Sequence, residues 1–176
     1  DTQQYATYVN GASTNGGAPF IASQQSFWVR AFDTSPSLIA TEAVKSATDQ
    51  AFIKASNLSP GMVIRVSDGN SFDEVVIRDI EHAHEEFDYE YDAEKYWNTY
   101  PSGPQISALN TDEIDLAVHS FNKGFAEWSI PLRTKALSQG IHSIEFFSVS
   151  EMSVPCMYIE DTFTGESYPV LEGASY

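Results

Sequence analysis

Residues 62–77 read MVIRVSDGNSFDEVVI, and this stretch decides the fold class. Two runs rich in β-branched and apolar residues, Met62–Ser67 and Phe72–Ile77, flank the tripeptide Asp68-Gly69-Asn70. An Asp-Gly pair supplies the positive φ angles that a tight chain reversal needs. The stretch therefore predicts an antiparallel β-hairpin.

Similar short runs, separated by turn residues, recur along the chain. A second hairpin is predicted where Thr164-Gly165 separates Tyr158–Phe163 from Ser167–Val170. Pro169 should mark an edge or a strand end, because proline cannot donate to a ladder. About ten strands are predicted by these patterns: Tyr5–Asn10, Ser26–Phe32, Ser37–Thr41, Met62–Ser67, Phe72–Ile80, Gln105–Leu109, Ile114–His119, Ala126–Leu132, Ser143–Ser150 and Met157–Asp161.

The predicted fold class is all-β. So many strands with little helix predict an antiparallel two-sheet β-sandwich, jelly-roll-like in form. The 176 residues fit a single module, residues 1–176. Two subdomains, 1–58 and 59–176, are the alternative, since the mixed pattern of Thr48–Pro60 lies between two groups of strands.

Charge and apolar content exclude several classes of partner. The net charge of −16 disfavours nucleic acids and anionic lipid surfaces, and leaves cations, neutral sugars and basic partners. No apolar run is long enough to predict a membrane-spanning helix, so membrane insertion is not expected. The single cysteine, Cys156, cannot form an internal disulfide, and its apolar context predicts a buried, inert thiol.

The segment Asp73–Glu94 is strongly acidic, with ten of the chain's 25 Asp and Glu residues. Within it, Asp88, Glu90 and Asp92 alternate with other residues, so an extended strand would place the three carboxylates on one side. Such a side could hold Ca²⁺, which takes several oxygen ligands. A solvated acidic rim with an inward aromatic face is the alternative interpretation.

Two histidines, His82 and His84, also share one side of an extended segment and could contribute to a transition-metal site. Two ligands leave such a site incomplete, and surface histidines without a function are the alternative. The sequence contains no G-x-S-x-G elbow, phosphate-binding glycine loop or H-E-x-x-H. We therefore expect no enzyme, and a hydrolase is retained only as a minor alternative because carboxylates are abundant.

Aromatic residues predict a second candidate surface. Tyr96, Trp97 and Tyr100 lie in a Pro- and Gly-containing loop beside the acidic segment. Exposed aromatic rings stack on sugars, so these three side chains are candidate ligand-binding residues. Trp28 and Trp128 lie inside apolar runs and are predicted to be core residues instead.

The order of several motifs resembles a known family. FDEVVIRDI (72–80), FDYEYDAEKYW (87–97), PQISALN (104–110), IDLAVHSF (114–121), WSIPL (128–132), IHSIEF (141–146) and MYIEDTFTGESYPVLEGASY (157–176) follow one another. This order is similar to the β-sandwich region of large surface and secreted proteins of gliding, type IX-secreting bacteria. That region usually precedes a C-terminal sorting domain.

The resemblance implies a non-catalytic, extracellular structural or adhesive module of a secreted or cell-surface protein, with no catalytic residue to carry over. In the family the pattern extends beyond both ends of these residues, which implies that this chain is a fragment with open sheet edges. Copies could then self-associate, and a polysaccharide or another surface protein is the expected partner. The alternative function is a carbohydrate-binding module, stabilised by calcium.

Overall fold

The computed structural model describes residues 4–22, 25–31, 34–46, 61–99, 103–122, 128–137, 139–150, 152 and 156–176. Within these residues there is one 3₁₀ turn, Glu42–Val44, and no α-helix, which confirms the all-β, sandwich-like fold class. None of the described segments forms a helix that could cross a membrane. The described strands are β1 (Thr7–Val9), β2 (Ala12–Thr14), β3 (Gly61–Ser67), β4 (Phe72–Asp79), β5 (Ala93–Glu94), β6 (Gln105–Leu109), β7 (Asp115–Phe121), β8 (Leu132–Lys135), β9 (Ser143–Ser150), β10 (Tyr158–Asp161) and β11 (Glu166–Pro169).

The predicted 62–77 hairpin forms the middle of the main sheet. β3 and β4 pair antiparallel, with Met62 opposite Ile77 and Ser67 opposite Phe72. Gly69 takes a φ of 88° at the reversal, and the Asp68 carboxylate accepts hydrogen bonds from the two following backbone N–H groups of residues 70 and 71. The turn chemistry of Asp-Gly therefore accounts for the sharp connection.

Strand β7 joins the two halves of the seven-stranded sheet, in which six strands follow the order β8-β6-β7-β4-β3-β9 and the seventh, β5, pairs with β7. β7 first pairs antiparallel with β6 and then, from Val118 onward, parallel with β4, while β5 lies along its other edge. The parallel pair departs from the expectation of a wholly antiparallel sheet. Parallel neighbours need a long crossover, and the chain between β4 and β7 is long enough to supply one.

The two faces of the sheet carry different apolar clusters, because successive side chains of a strand point to opposite faces. Val63, Val76 and Val118 face the β1–β2 hairpin, which contributes the fully buried Ala12. The opposite face carries Met62, Ile64, Val66, Val75, Ile77, Ile106, Ala108, Phe121 and Phe146, and is covered by residues that include Trp128, Ile130, Met157, Ile159, Val170 and Tyr176. The small sheets at the two ends of the chain thus enclose the central sheet.

The free edge of β9 is covered by residues 173–176. Ile144 and Tyr176 exchange two backbone hydrogen bonds of 2.8 and 2.9 Å, and Phe146 bonds to Ala174 and Gly173. β8 ends the sheet on the other side. Self-association through a sheet edge stays a prediction, and β8 is now the edge at which to test it.

The second predicted hairpin is confirmed, since β10 and β11 pair antiparallel and β11 ends at Pro169. Three predicted strands are wrong. Residues 25–31 and 34–41 contain no strand, and among the described residues of the predicted Ala126–Leu132 strand only Leu132 lies in a strand, β8. Trp28 is 76% exposed instead of buried. No strand of the described part of the chain pairs with residues 25–31 or 34–41. Cys156 is exposed, which corrects the prediction of a buried thiol. The predicted boundary between subdomains, at Thr48–Pro60, lies outside the described residues.

Candidate functional site

The acidic segment that follows β4 forms a loop of turns, residues 81–92, which we call the acidic loop. The backbone N–H groups of Tyr91 and Asp92 both donate to the carbonyl of Asp88, at 3.1 and 2.7 Å. The Asp88 carboxylate also accepts a bond from the N–H of Glu90. The prediction of an extended strand with three aligned carboxylates is therefore wrong, because the short polar side chain of Asp88 stabilises a turn instead.

Asp92 differs from its two acidic neighbours because it is buried. One carboxylate oxygen accepts a 2.7 Å hydrogen bond from the N–H of Ser120 in β7, and the other accepts one from the N–H of Asp88. The Nδ1 atom of His119 lies 3.6 Å from the same carboxylate. Asp92 therefore fastens the acidic loop to the sheet instead of facing solvent with Asp88 and Glu90.

No group of three or more His, Cys, Asp or Glu residues able to hold a metal ion occurs in the described part of the chain. Among the described residues, therefore, neither the predicted Asp88, Glu90 and Asp92 site nor the His82 and His84 pair belongs to such a group. Calcium binding stays a prediction, now without the shared carboxylate face on which it was based.

Arg78 anchors the base of the acidic loop from inside the sheet. Its guanidinium is fully buried and donates hydrogen bonds to the carbonyls of Asn10 and Tyr91, at 2.8 and 2.6 Å, and to the hydroxyl of Ser120. Burial lowers the pKa of Arg78 from its ordinary value, while the negative charge of Asp92 acts in the opposite direction. The loop is therefore held at its C-terminal end by buried charged groups.

The outer surface of the acidic loop contains an open depression of about 430 Å³. Tyr89 is 66% exposed there, and the ring of Phe87 packs edge-on against it with 5.0 Å between centroids. The lining residues combine carboxylates, imidazoles and aromatic rings: His82, His84, Phe87, Asp88, Tyr89, Glu90 and Tyr91. Loops held by a rigid sheet are common positions for binding residues, and this depression is our candidate binding surface.

Trp97, predicted as a sugar-stacking residue, is half-buried and held by charged neighbours. Its indole N–H donates a 3.0 Å hydrogen bond to Asp115, and the Lys135 ammonium lies 3.8 Å from the centre of its ring. Burial acts to raise the pKa of Asp115, but hydrogen bonds from Ser107 and Trp97 and the Arg133 guanidinium outweigh it and hold that pKa below its ordinary value. A sugar could reach the Lys135-covered face only by displacing the ammonium.

Two of the three predicted aromatic residues, Tyr96 and Trp97, contact different neighbours in the described structure. Tyr96 is 43% exposed, and its ring meets Tyr5 of the N-terminal segment edge-on at 5.9 Å. Trp97 contacts Asp115 and Lys135 instead. Tyr100 lies outside the described residues. Neither Tyr96 nor Trp97 lines the depression on the acidic loop.

Trp128, predicted as a core residue, packs against the main apolar cluster, with its ring 4.4 Å from that of Phe121.

Two buried charged residues that organise the interior, Arg78 and Lys95, were not predicted from the sequence. Arg78 had a usable signal, because it continues the apolar run of residues 75–77 in the middle of a predicted strand. Lys95 had none, since it lies in a mixed polar and aromatic stretch.

No family model matches the chain, and searches of curated proteins and of solved structures likewise found no match.

Proposed function

We propose that this chain is a non-catalytic, extracellular β-sandwich module, with a structural or adhesive role in a secreted or cell-surface bacterial protein. The acidic loop is the observation that carries the proposal. Arg78 and Asp92, both buried, fasten this loop to the sheet by hydrogen bonds, while its outer side presents the exposed Glu90 and Tyr89. A presented, polar surface on a rigid sheet is typical of modules that bind or display.

The order of motifs along residues 72–176 supports the extracellular location, through its resemblance to the surface proteins of type IX-secreting bacteria. Intact source cells would be treated with a protease and probed with an antibody against this chain. Loss of the signal from intact cells, with an intracellular marker preserved, is the expected result. A chain that stays protected until the cells are lysed contradicts the proposed location.

A neutral polysaccharide is the second candidate partner, and the composition of the depression favours it. Tyr89 offers an exposed ring for stacking on a sugar, and Asp88 and Glu90 can accept hydrogen bonds from hydroxyl groups. The net charge of −16 would repel acidic polysaccharides. The candidate ligand is therefore an uncharged glycan.

Sedimentation with insoluble neutral polysaccharides, together with a glycan array, tests this second function. Retention should fall about fivefold in Tyr89→Ala, since stacking on one ring is worth about 1 kcal/mol. Trp28→Ala is the matched control, because Trp28 is also an exposed aromatic residue but does not line the depression. Equal loss in both variants would indicate nonspecific aromatic binding, and no retention by the wild type would favour the adhesive role.

A further inference from the structure

A buried ion pair connects strand β4 with the residue that follows β5. The Lys95 Nζ atom donates a hydrogen bond to the Oδ2 atom of Asp73, and the two side chains are only 3% and 0% exposed. This contact is independent of the acidic loop surface on which the proposed function rests. Its geometry places an amine directly against a carboxyl group in an interior that excludes solvent.

The backbone holds both partners in place. Asp73 lies within β4, opposite Val66 of β3, and the N–H of Lys95 donates a 2.8 Å hydrogen bond to the carbonyl of Asp115 in β7. Because a folded sheet holds the amine and the carboxyl group side by side, each group experiences a high effective concentration of the other. Positioning therefore requires no further movement of the chain.

Two more hydrogen bonds reach the Asp73 carboxyl group. The N–H of Ile106 donates to Oδ2 at 2.9 Å, and Nδ2 of Asn15 donates to Oδ1 at 2.8 Å. Donors on a carboxyl group withdraw electron density from its carbon, and they stabilise the negative oxygen that forms when a nucleophile adds. Oδ1 of Asp73 thus has one donor, Asn15, and Oδ2 has Ile106 in addition to Lys95.

The amine side of the pair is also activated. Burial lowers the pKa of the Lys95 ammonium below its ordinary value, even though the negative charge of Asp73 acts in the opposite direction. A desolvated lysine gives up its proton more readily, and the neutral amine is the nucleophile. The adjacent carboxylate can accept that proton.

We propose that Lys95 and Asp73 join in an intramolecular amide bond. A proton passes from the Lys95 ammonium to the Asp73 carboxylate, and Nζ then adds to Cγ. The C–O bond to the protonated oxygen breaks, and that oxygen leaves with a second proton from Nζ as water. One N–C bond forms, one C–O bond breaks, and no oxidant, reductant or other reactant is needed.

The surroundings favour the product over the ion pair. Two buried charges carry a desolvation cost that a neutral amide avoids. The cross-link would close the chain between residues 73 and 95 and fix β4 to the end of β5. A chain with one cysteine cannot form an internal disulfide, so the amide would supply the covalent constraint that a disulfide gives other exported domains.

Mass spectrometry of the whole chain, purified folded and then denatured, tests the proposal. The wild type is expected to be lighter than its sequence by the mass of one water molecule. Proteolysis should release a branched peptide joining the segments that contain residues 73 and 95. Lys95→Arg, which keeps the positive charge, should have its full sequence mass, and the exposed Lys45→Arg should stay one water lighter.

A succinimide at Asp68-Gly69 would cause the same loss of water, but its peptides are linear and it is indifferent to Lys95→Arg. If Lys95→Arg fails to fold, fragmentation of the wild-type branched peptide still identifies the linked residues. A wild type of full mass overturns the proposal and leaves an ordinary buried ion pair. A water loss that maps to a linear peptide overturns it as well.

Discussion

The Nη2 atom of Arg78 lies 2.6 Å from the carbonyl oxygen of Tyr91, so a guanidinium inside the sheet holds the end of a solvent-facing loop. The same side chain reaches the carbonyl of Asn10 in the β1–β2 turn. Arg78 therefore connects three parts of the chain that are distant in sequence. Its planar group of donors suits this role, because several carbonyls can be satisfied at once.

Replacing Arg78 by methionine tests this connection. The substitution leaves the carbonyls of Asn10 and Tyr91 without the Arg78 donor and Asp92 without its nearby positive charge. We expect the free energy of unfolding, measured by urea titration, to fall by about 3 to 5 kcal/mol.

Arg133→Met is the matched control for Arg78→Met. Its side chain is 44% exposed and pairs with Asp115, so the same substitution should cost no more than about 1 kcal/mol. Equal losses at the two positions would show that Arg78 is not a structural anchor.

The stability of the fold should depend on pH through Asp115. Its pKa is held below the ordinary value in the folded chain, so the carboxylate stabilises the fold above its unfolded pKa, about 3.9, and loses this effect as pH falls through the folded pKa. Asp115→Asn should therefore destabilise the chain at neutral pH, and the difference from wild type should shrink in acid. Urea titrations at several pH values below 6 measure this difference. A difference that is constant with pH would contradict the assignment.

The fold could be predicted further from the sequence than the site could. The hairpin at residues 62–77 was predictable because its alternation and its Asp-Gly turn are local signals. The parallel pairing of β4 with β7 depends on contacts between distant residues, which no local pattern records. Residues 25–31 have a strand-like pattern but pair with no strand among the described residues, and pattern alone does not distinguish these cases.

The candidate site shows the same division. The acidic loop and its exposed tyrosine lie within the acidic segment that the composition indicated as a candidate site. The predicted extended geometry of residues 88–92 was wrong, because these residues form a turn. Trp97 was predicted to face a ligand and instead bonds to Asp115, a partner 18 positions away. The pairing of Asp73 with Lys95 likewise depends on how β5 lies beside β7.

Cys156 should react readily in the folded protein because its side chain is exposed. We expect the rate of alkylation by iodoacetamide in buffer to be similar to the rate in urea at the same pH. The chain has no other cysteine, so the incorporated mass reports this residue directly. Much slower alkylation in buffer than in urea would contradict the exposed position of Cys156. The Cys156→Ser variant is the control for alkylation at other residues.

Substitution of Gly17 and of Gly69 should destabilise the chain for different reasons, and comparison of the two tests the β1–β2 hairpin. A Cβ atom on Gly17 would lie 2.1 Å from the backbone carbonyl oxygen of Thr7, whereas the space around Gly69 is open but its φ is 88°. Gly17→Ala should lower the free energy of unfolding by about 1 to 3 kcal/mol through crowding. Gly69→Ala should lower it by about 1 to 2 kcal/mol through backbone strain.

Asparagine separates the two causes, because it adopts left-handed backbone more readily than alanine but is larger. Gly69→Asn should recover most of the stability lost in Gly69→Ala, while Gly17→Asn should be at least as unstable as Gly17→Ala. Urea titration of the four variants measures both effects. Recovery at position 17 would show that the hairpin does not pack as closely as the contact with Thr7 requires, and would also weaken the placement of Asn15 against Asp73.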